Sequence, residues 1–226
     1  MLATKKFLHV GCGSVYKDGT TPAFASEDWQ EVRLDIDKSV NPDIISSVLD
    51  LSIIDSESFD AIFSSHNIEH VYAHEIPIML KGFLRVLNTD GFLVVVCPNL
   101  IPAARLIVED KLTEPAYISP AGRPISALDI LHGYGTAIAE GNEFMAHKTG
   151  FTPKSLRSAL SGAGFKTVAM VARDFTQMTT KQITGNLPVF NMWAFATKKK
   201  TDNKDKMMEI IRLHLPGATK AAWPNQ

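Results

Sequence analysis

A pair of glycines after a short apolar run is the first place in the chain where residue types and spacing could do chemistry. Gly11 and Gly13 follow directly on the run Phe7 to Val10. A strand that ends this way must turn sharply and bring its backbone close to a ligand, which glycine allows because it has no Cβ. A tight turn without a ligand uses the same residues, so the pair needs a second feature beside it.

Carboxylates supply that second feature. Asp35 ends the next apolar run, 24 residues after Gly11. A carboxylate at such a spacing can accept hydrogen bonds from both hydroxyls of a ribose. Asp37 could take that role instead, and an aspartate at a strand end also serves simply as a turn former. Asp50 ends the third apolar run, where it could accept from an exocyclic adenine amine or cap a surface turn.

A third feature is the stretch His66-Asn67-Ile68-Glu69-His70, which has the spacing His-x-x-Glu-His. On a helix, two histidines at positions i and i+4 can hold zinc, with the glutamate as general base. The alternative is that these side chains pack against the protein or contact a cofactor. In that case His66 is the candidate catalytic base, because a neutral imidazole can accept a proton from a substrate.

The elements that must position these residues alternate through the first half of the chain. Short apolar runs separated by segments of helical period predict parallel strands with helices on both faces. One apolar stripe predicts a helix, and the residues from Asn88 to Gly91 are expected to end it in a turn. The stripe is Ile76, Leu80, Phe83 and Leu87, and the strands are expected at about Lys6–Val10, Glu31–Asp35, Ile44–Leu49, Ala61–Ser64 and Phe92–Cys97.

The second half opens with an irregular insertion over about residues 100–150, in which prolines interrupt two stretches of helical character, Ala103–Glu109 and Ile125–Glu140. Thr152 is the expected N-cap of a helix that begins at Pro153 and runs to about Ser161.

Three further segments complete the prediction. Two β-like runs, Lys166–Ala172 and Val189–Thr197, predict an antiparallel hairpin at the sheet edge. A short amphipathic helix is expected around Met208, Ile211 and Leu215.

Composition excludes several classes of protein. The 226 residues are 45% hydrophobic and 21% charged, which is typical of a globular domain with additions. A net charge of −1 provides no field to hold a polyanion, so nucleic acid is not an expected partner. No apolar run is long enough to span a membrane, and the N-terminal run is too short for a secretory signal. Two cysteines cannot form a disulfide framework, so we expect a cytoplasmic protein.

The first hundred residues resemble the class I S-adenosylmethionine-dependent methyltransferases in five stretches that follow one another in order: LHVGCGS, VRLDID, VLDLS, SFDAIFSSHNIEH and LNTDGFLVVVCPN. The later part, from HGYGT to MWAFATK, resembles a smaller bacterial branch of the family. The resemblance implies an α/β fold with a Rossmann-like, doubly wound, mostly parallel seven-stranded sheet and an antiparallel final strand. It implies a methyltransferase domain over residues 1–200 and a C-terminal helical extension over residues 201–226.

The resemblance also implies where S-adenosylmethionine binds. In the family the glycine-rich turn holds the methionine end, the acid at the tip of the second strand binds the ribose, and the acid after the third strand lies near the adenine. The expected cofactor-binding residues of this chain are Val10, Gly11, Cys12, Gly13, Asp35, Ile36, Asp50, Leu51, Ser65 and His66.

Two positions depart from the family's usual residues. His9 stands where most members carry an acid, and Val15 stands where the third glycine commonly falls. The family places the stretch around His66 against the cofactor, which favours packing or cofactor contact over zinc, so we expect no bound metal. Segments inserted after the fifth strand supply much of the acceptor pocket in the family. The expected substrate-binding residues are therefore His132, Tyr134 and His147, in a polar cluster that also contains Asn142 and Lys148.

These observations predict methyl transfer from S-adenosylmethionine to an oxygen or nitrogen nucleophile of a small molecule, for example a sugar or a cell-surface glycan precursor. Nucleobase amine methyltransferases carry Asn or Asp before Pro-Pro-aromatic after the fourth strand, where this chain has Ser65 to Ile68. Base-carbon enzymes use Pro-Cys, whereas this chain has Cys97-Pro98. The alternative is a regulatory or scaffold protein that binds S-adenosylmethionine without catalysis, and a zinc hydrolase is a more distant one. The turn sequence and the antiparallel final pair disfavour a nicotinamide dehydrogenase.

Overall fold

A seven-stranded sheet lies at the centre of the computed structural model, which describes residues 4–119, 122–172, 190–201 and 203–223. Its strands are β1 (Lys5–Val10), β2 (Trp29–Asp35), β3 (Ile44–Ile45), β4 (Phe59–Ser65), β5 (Leu87–Pro98), β8 (Thr167–Ala172) and β9 (Asn191–Thr197). A separate two-stranded hairpin consists of β6 (Pro115–Ile118) and β7 (Pro124–Ser126). Across the large sheet the order is β3, β2, β1, β4, β5, β9, β8.

All strands of the large sheet except β9 run in one direction. β1 pairs in parallel with β2 and β4, β2 with β3, and β4 with β5. β9 is antiparallel to both of its neighbours, β5 and β8. The prediction of a mostly parallel Rossmann-like sheet with an antiparallel final strand is therefore confirmed. The predicted antiparallel pair, β8 and β9, lies at the sheet edge with β8 outermost. Val189, the first residue of the predicted run Val189–Thr197, lies outside the described residues.

Six helices accompany the strands: α1 (Ile76–Val86), α2 (Leu100–Val108), α3 (Ala127–His132), α4 (Gly135–Ala139), α5 (Pro153–Ala163) and α6 (Lys204–His214), counted over the described residues. The predicted N-cap at Thr152 is confirmed. Its hydroxyl accepts from the Ser155 N–H at 3.2 Å, and the Ser155 hydroxyl accepts from the Thr152 N–H at 2.9 Å. This reciprocal pair satisfies two backbone donors that the start of α5 would otherwise leave unpaired.

Two predicted boundaries are wrong because side chains bond to nearby groups. The third strand ends at Ile45 rather than Leu49, since the Ser46 hydroxyl donates to the Asp50 carbonyl at 2.7 Å and the chain turns away from the sheet. Asn88 to Gly91 do not form a turn but begin β5 directly after α1. There the Asn88 amide donates to the Asp60 carboxylate at 2.8 Å, which ties this start to β4.

Helices cover both faces of the sheet. Neighbouring residues of β1 point to opposite faces, with Leu8 in the core under α1 and α5, and Phe7 in the core under α6. The segment expected as a C-terminal extension thus packs directly on the sheet through Met207, Ile211 and Leu215. Each such side chain contributes about 1.5–3 kcal/mol by burial, so this helix is an integral part of the core.

The residues between β5 and α5, together with Phe190, form a small layer. α2, the β6–β7 hairpin and α3 share a core of Ala103, Ala127, Ile130 and Phe190. The Leu100 N–H donates to the Phe151 carbonyl at 2.9 Å, which closes the two ends of this insertion on each other. Within the described ranges, no helix combines the length and the apolar character needed to cross a membrane.

Candidate active site

A cavity of about 340 Å³ lies at the carboxyl ends of β1, β2 and β4. The strand register places Val10 beside both Leu34 and Ser64, so the residues that follow these strands emerge side by side. Strand order reverses around β1, and ligands of open α/β sheets bind at that reversal. The cavity is lined by Gly11, Gly13, Asp35, Ile36, Asp37, Val40, Ser46, Ser47, Val48, Leu49, His66, Asn67, His70, Val71, Glu75, Asn142, Phe144, Met145 and Lys148.

The expected site residues divide between the cavity and its surroundings. Gly11, Gly13, Asp35, Ile36 and His66 line it. The expected residues that do not line it are Val10, Cys12, Asp50, Leu51, Ser65, His132, Tyr134 and His147.

The glycine-rich turn has the backbone conformation that its sequence predicts. Gly11 and Gly13 have φ angles of +60° and +51°, a region that side chains disfavour. A Cβ at Gly11 would stand 1.9 Å from the Asn67 amide nitrogen, so the turn packs tightly against the segment after β4. Burial raises the pKa of the neighbouring Cys12 thiol to about 11, so that thiol is protonated at neutral pH and is no nucleophile.

Asp35 joins this turn to the tip of β2. Its carboxylate accepts from the Gly13 N–H at 2.8 Å and from the Asp37 N–H at 2.9 Å. Asp37 also lines the cavity, but its carboxylate caps Ser39, whose hydrogen bond at 2.8 Å lowers the pKa of that carboxyl. Of the two aspartates, Asp35 is the one fixed against the glycine turn.

Arg33 holds the turn from the other side, and its position was not anticipated. It is 4% exposed, although arginine is rarely buried without partners. Its guanidinium donates to the Gly13 carbonyl and, at 2.8 Å, to the Asn41 carbonyl, and it lies 4.1 Å from the centre of the Tyr16 ring. In the sequence, the only indication of this role was that Arg33, a cation, stands two residues before Asp35.

His9, the departure from the family's usual acid, lies outside the cavity. Its ring is buried, and its Nδ1 is 2.7 Å from Glu31 on β2. The second oxygen of Glu31 accepts from the Lys17 N–H at 2.9 Å. A histidine and carboxylate pair thus stands behind the strand end, where it supports the loop after the glycine turn.

The acid after the third strand does not reach the cavity. Asp50 is exposed, and its carboxylate accepts from the Ser52 N–H at 3.0 Å, a bond that lowers the pKa of the carboxyl. Leu51 belongs to the core under α1. The residues of this segment that line the cavity are Ser46 to Leu49, because the turn at Ser46 directs them there.

His66 enters the cavity from the end of β4 in a left-handed conformation, with φ of +48°. A non-glycine residue held this way stores strain, which is commonly found at functional sites. Its Nδ1 donates to the Glu69 carboxylate at 3.1 Å. Burial would raise the pKa of Glu69, but the bond from His66 and the facing His70 and His147 outweigh it, so this pKa lies below its usual value.

The insertion supplies the opposite wall through Asn142, Phe144, Met145 and Lys148. Two of these belong to the polar cluster noted in the sequence, whereas the two apolar ones carried no signal. His132 is exposed, and Tyr134 lies under the Arg123 guanidinium, 5.2 Å away.

The expected substrate residue His147 does not line the cavity. Its Nδ1 donates to the Ile130 carbonyl at 2.8 Å, and burial lowers the pKa of the ring.

Comparison with known proteins finds a family similar to the first part of the chain. Residues 8–95 match the family described as Methyltransferase domain. No curated protein matches the chain in sequence.

Three solved structures share its fold. A methyltransferase dependent on S-adenosylmethionine from Methanosarcina mazei has a TM-score of 0.55 and 15% identity over 89% of this chain and 95% of its own. One from Mesorhizobium loti has a TM-score of 0.54 and 18% identity over 86% and 91%. The 1,6-didemethyltoxoflavin N1-methyltransferase of Burkholderia thailandensis, solved with that compound and S-adenosylhomocysteine, has a TM-score of 0.53 and 13% identity over 87% and 72%.

The family match runs from β1 into β5, and the carboxyl ends of the strands in this stretch build the cavity. The family match therefore includes the cavity residues from Gly11 to Glu75, whereas those of the insertion, Asn142 to Lys148, lie outside it. Residues 8–95 are thus similar to a methyltransferase domain, and the chain shares its fold with solved S-adenosylmethionine-dependent methyltransferases.

Proposed function

We propose that the chain transfers a methyl group from S-adenosylmethionine to an oxygen or nitrogen nucleophile of a small molecule, for example a sugar or a glycan precursor. One observation carries this proposal. A single cavity joins the glycine turn and Asp35 to polar residues of the insertion, including Asn142 and Lys148. Such a cavity has room for a nucleoside ligand on one wall and for an acceptor on the other.

The first wall fits the cofactor. A carboxylate has about four acceptor positions, of which Gly13 and Asp37 use two at Asp35. The other two suit the two hydroxyls of a ribose. Ile36 beside it is 51% exposed and, with Val48 and Leu49, offers an apolar surface for the face of an adenine. The open space above Gly13 leaves room for the methionine end.

The second wall fits a small polar acceptor. Phe144 and Met145 are apolar, whereas Asn142 and Lys148 can donate hydrogen bonds, and this mixture is typical of small-molecule sites. The Lys148 ammonium lies 4.9 Å from the centre of the Tyr72 ring, which holds its charge near the cavity. An acceptor with an anionic group, such as a sugar phosphate, matches this charge.

S-adenosylmethionine supplies an electrophilic methyl group on a sulfonium. The chain's part is to hold the acceptor atom in line at about 3–3.5 Å and to exclude water. His66 is the proposed base. Because its Nδ1–H donates to Glu69, the lone pair of the ring is on Nε2, and a buried carboxylate that fixes the tautomer is the arrangement used to orient histidine bases elsewhere.

The test is calorimetry followed by a turnover screen. We expect wild-type protein to bind S-adenosylhomocysteine at one site. We also expect it to convert S-adenosylmethionine into S-adenosylhomocysteine when sugar phosphates or nucleotide sugars are added as methyl acceptors. Failure to bind either cofactor form would overturn the proposal. Binding without turnover over a broad panel of hydroxyl and amine acceptors would favour the non-catalytic alternative.

A further inference from the structure

Three metal-binding side chains from distant parts of the chain converge beside the cavity. Glu69 and His70 follow β4, and His147 belongs to the insertion. One ligand atom of each lies within 4.8 Å of the others. We call these residues the Glu69 cluster. The sequence motif suggested His66 and His70 as a pair, but the structure groups His70 with His147 instead.

Both histidines of the Glu69 cluster have their second ring nitrogen fixed. The Nδ1–H of His70 donates to the Ala146 carbonyl at 3.0 Å, and the Nδ1–H of His147 donates to the Ile130 carbonyl at 2.8 Å. Carbonyl oxygens only accept, so both rings carry the proton on Nδ1 and leave Nε2 as the atom that can bind a metal. Histidine ligands of metals are held in this way by a backbone carbonyl or carboxylate.

Glu69 brings a carboxylate that is almost completely buried, at 1% exposure. One of its oxygens accepts from His66, while Oε2 is buried and has no hydrogen-bond partner. Within the described part of the chain, no lysine or arginine pairs with it. A buried carboxylate oxygen left unpaired is costly, because burial removes its hydration without replacing it.

The Glu69 cluster therefore combines two imidazoles that each have a lone pair on Nε2 with an unpaired carboxylate oxygen, and these groups accept and do not donate. A cation bound between them removes this mismatch. We propose that Glu69, His70 and His147 bind a divalent first-row metal ion, for which Zn²⁺ is the reference.

The donor set supports this choice of ion. Two histidine nitrogens and one carboxylate oxygen are a common zinc ligand set, and hard ions such as Mg²⁺ prefer oxygen alone. Bonds of about 2.1 Å place ligand atoms about 3.4 Å apart around a tetrahedral ion, so a small closing movement of the side chains completes the coordination. Three protein ligands leave a fourth position for water or a cavity ligand.

The proposed ion would fasten the insertion to the rest of the site. The Glu69 carbonyl already accepts from the Lys148 N–H at 2.8 Å and from the Thr149 N–H at 3.1 Å, so the two segments meet here. His70 lines the cavity, which puts the ion at its wall. This proposal replaces our expectation that the motif carries no metal, and it does not depend on the proposed methyl transfer.

The experiment measures metal binding without any methyl donor. Chelator-treated wild-type protein is titrated with Zn²⁺ by calorimetry and with Co²⁺ by visible absorption, and its thermal unfolding is followed with and without Zn²⁺. We expect one Zn²⁺ per chain, a Co²⁺ spectrum typical of nitrogen and oxygen ligands, and a higher unfolding temperature with the ion bound.

Variants assign the ligands. Glu69→Gln and His147→Ala should each weaken Zn²⁺ binding by about 100-fold or more, since even partners of metal ligands contribute 10–100-fold. His74→Ala, an exposed histidine of the same segment, should bind as wild type does. Wild-type protein that binds no Zn²⁺ or Co²⁺ overturns the proposal even if the variants misfold. Equal Zn²⁺ affinity of wild type and a folded Glu69→Gln variant overturns it as well.

Discussion

Replacing Gly11 or Gly13 by alanine should have clearly different effects, although the two glycines share one turn. Both have positive φ, but an added Cβ at Gly11 would stand 1.9 Å from the Asn67 amide nitrogen and 2.6 Å from its Cγ. Asn67 is only 8% exposed, so it has little room to move. At Gly13 no atom lies within 4 Å of the added Cβ.

The magnitudes follow from these contacts. The left-handed backbone costs an alanine about 1–2 kcal/mol at either position. Overpacking against Asn67 adds about 1–3 kcal/mol at Gly11 alone. Since 1 kcal/mol shifts the unfolding temperature of a chain of this size by about 2–4 °C, Gly11→Ala should lower it by about 4–20 °C and Gly13→Ala by about 2–8 °C.

The assay is thermal unfolding by circular dichroism, with S-adenosylhomocysteine binding measured by calorimetry. Gly13→Ala should mainly weaken ligand binding, because its side chain projects into open space at the cavity. Gly11→Ala should cost about 1–3 kcal/mol less in an Asn67→Ala background than in the wild type, as expected for residues in contact. If Gly11→Ala is as stable as Gly13→Ala, or if Asn67→Ala brings no relief, the proposed packing of the turn is wrong.

Three other changes test the site and the core. Asp35→Ala should raise the Kd for S-adenosylhomocysteine by about 10–150-fold, the equivalent of about 1.5–3 kcal/mol for hydrogen bonds to a charged group. Asp37→Ala should have little effect. If only Asp37→Ala weakens binding, Asp37 and not Asp35 binds the ribose. His66→Ala should slow methyl transfer by about 10²–10⁴-fold and change cofactor affinity by no more than about tenfold. Turnover at the wild-type rate would show that His66 is not the base and that catalysis depends on positioning of the reactants alone. Burial lowers the pKa of His214 from 6.5 to about 3. As the pH falls from 6.5 to about 3, this histidine is therefore protonated in the unfolded chain but not in the folded one, and the folded protein loses stability. In denaturant titrations of the wild type, this histidine should make the free energy of unfolding depend on pH with a slope of up to about 1.4 kcal/mol per pH unit, and His214→Phe should remove that slope. If the free energies of unfolding of wild type and variant change in parallel with pH, His214 is not the titrating group.

The sheet and some of the residues that line the candidate site could be predicted because they depend on local patterns. The apolar runs of β1, β4 and β5 are buried in the core, and burial of whole strands is visible in the sequence. Gly11 and Asp35 directly follow or end such strands, so the parallel register alone brings them together.

The misplaced residues depend on contacts that no local pattern reveals. Asp50 was expected at the cavity, but the hydrogen bond from the Ser46 hydroxyl to its carbonyl turns the segment and leaves its side chain exposed. His147 was expected to contact the substrate, but its ring is hydrogen-bonded to the Ile130 carbonyl and does not line the cavity. Phe144 and Met145 line the cavity through the fold of the insertion, which proline-rich sequence leaves undetermined.

The position of β9 between β5 and β8 also bears on how the protein is made. Leu93 to Val96 of β5 are fully buried, and one edge of that strand pairs with residues 191–197, far along the chain. During synthesis on the ribosome, this apolar edge stays open until residues 191–197 have been translated. An open apolar edge is a template for pairing with other chains, so nascent or truncated forms that end before β9 should be prone to aggregate and to need chaperones. Among the strands of the described residues, the one synthesised last is thus the one that closes the sheet beside the strands of the candidate site.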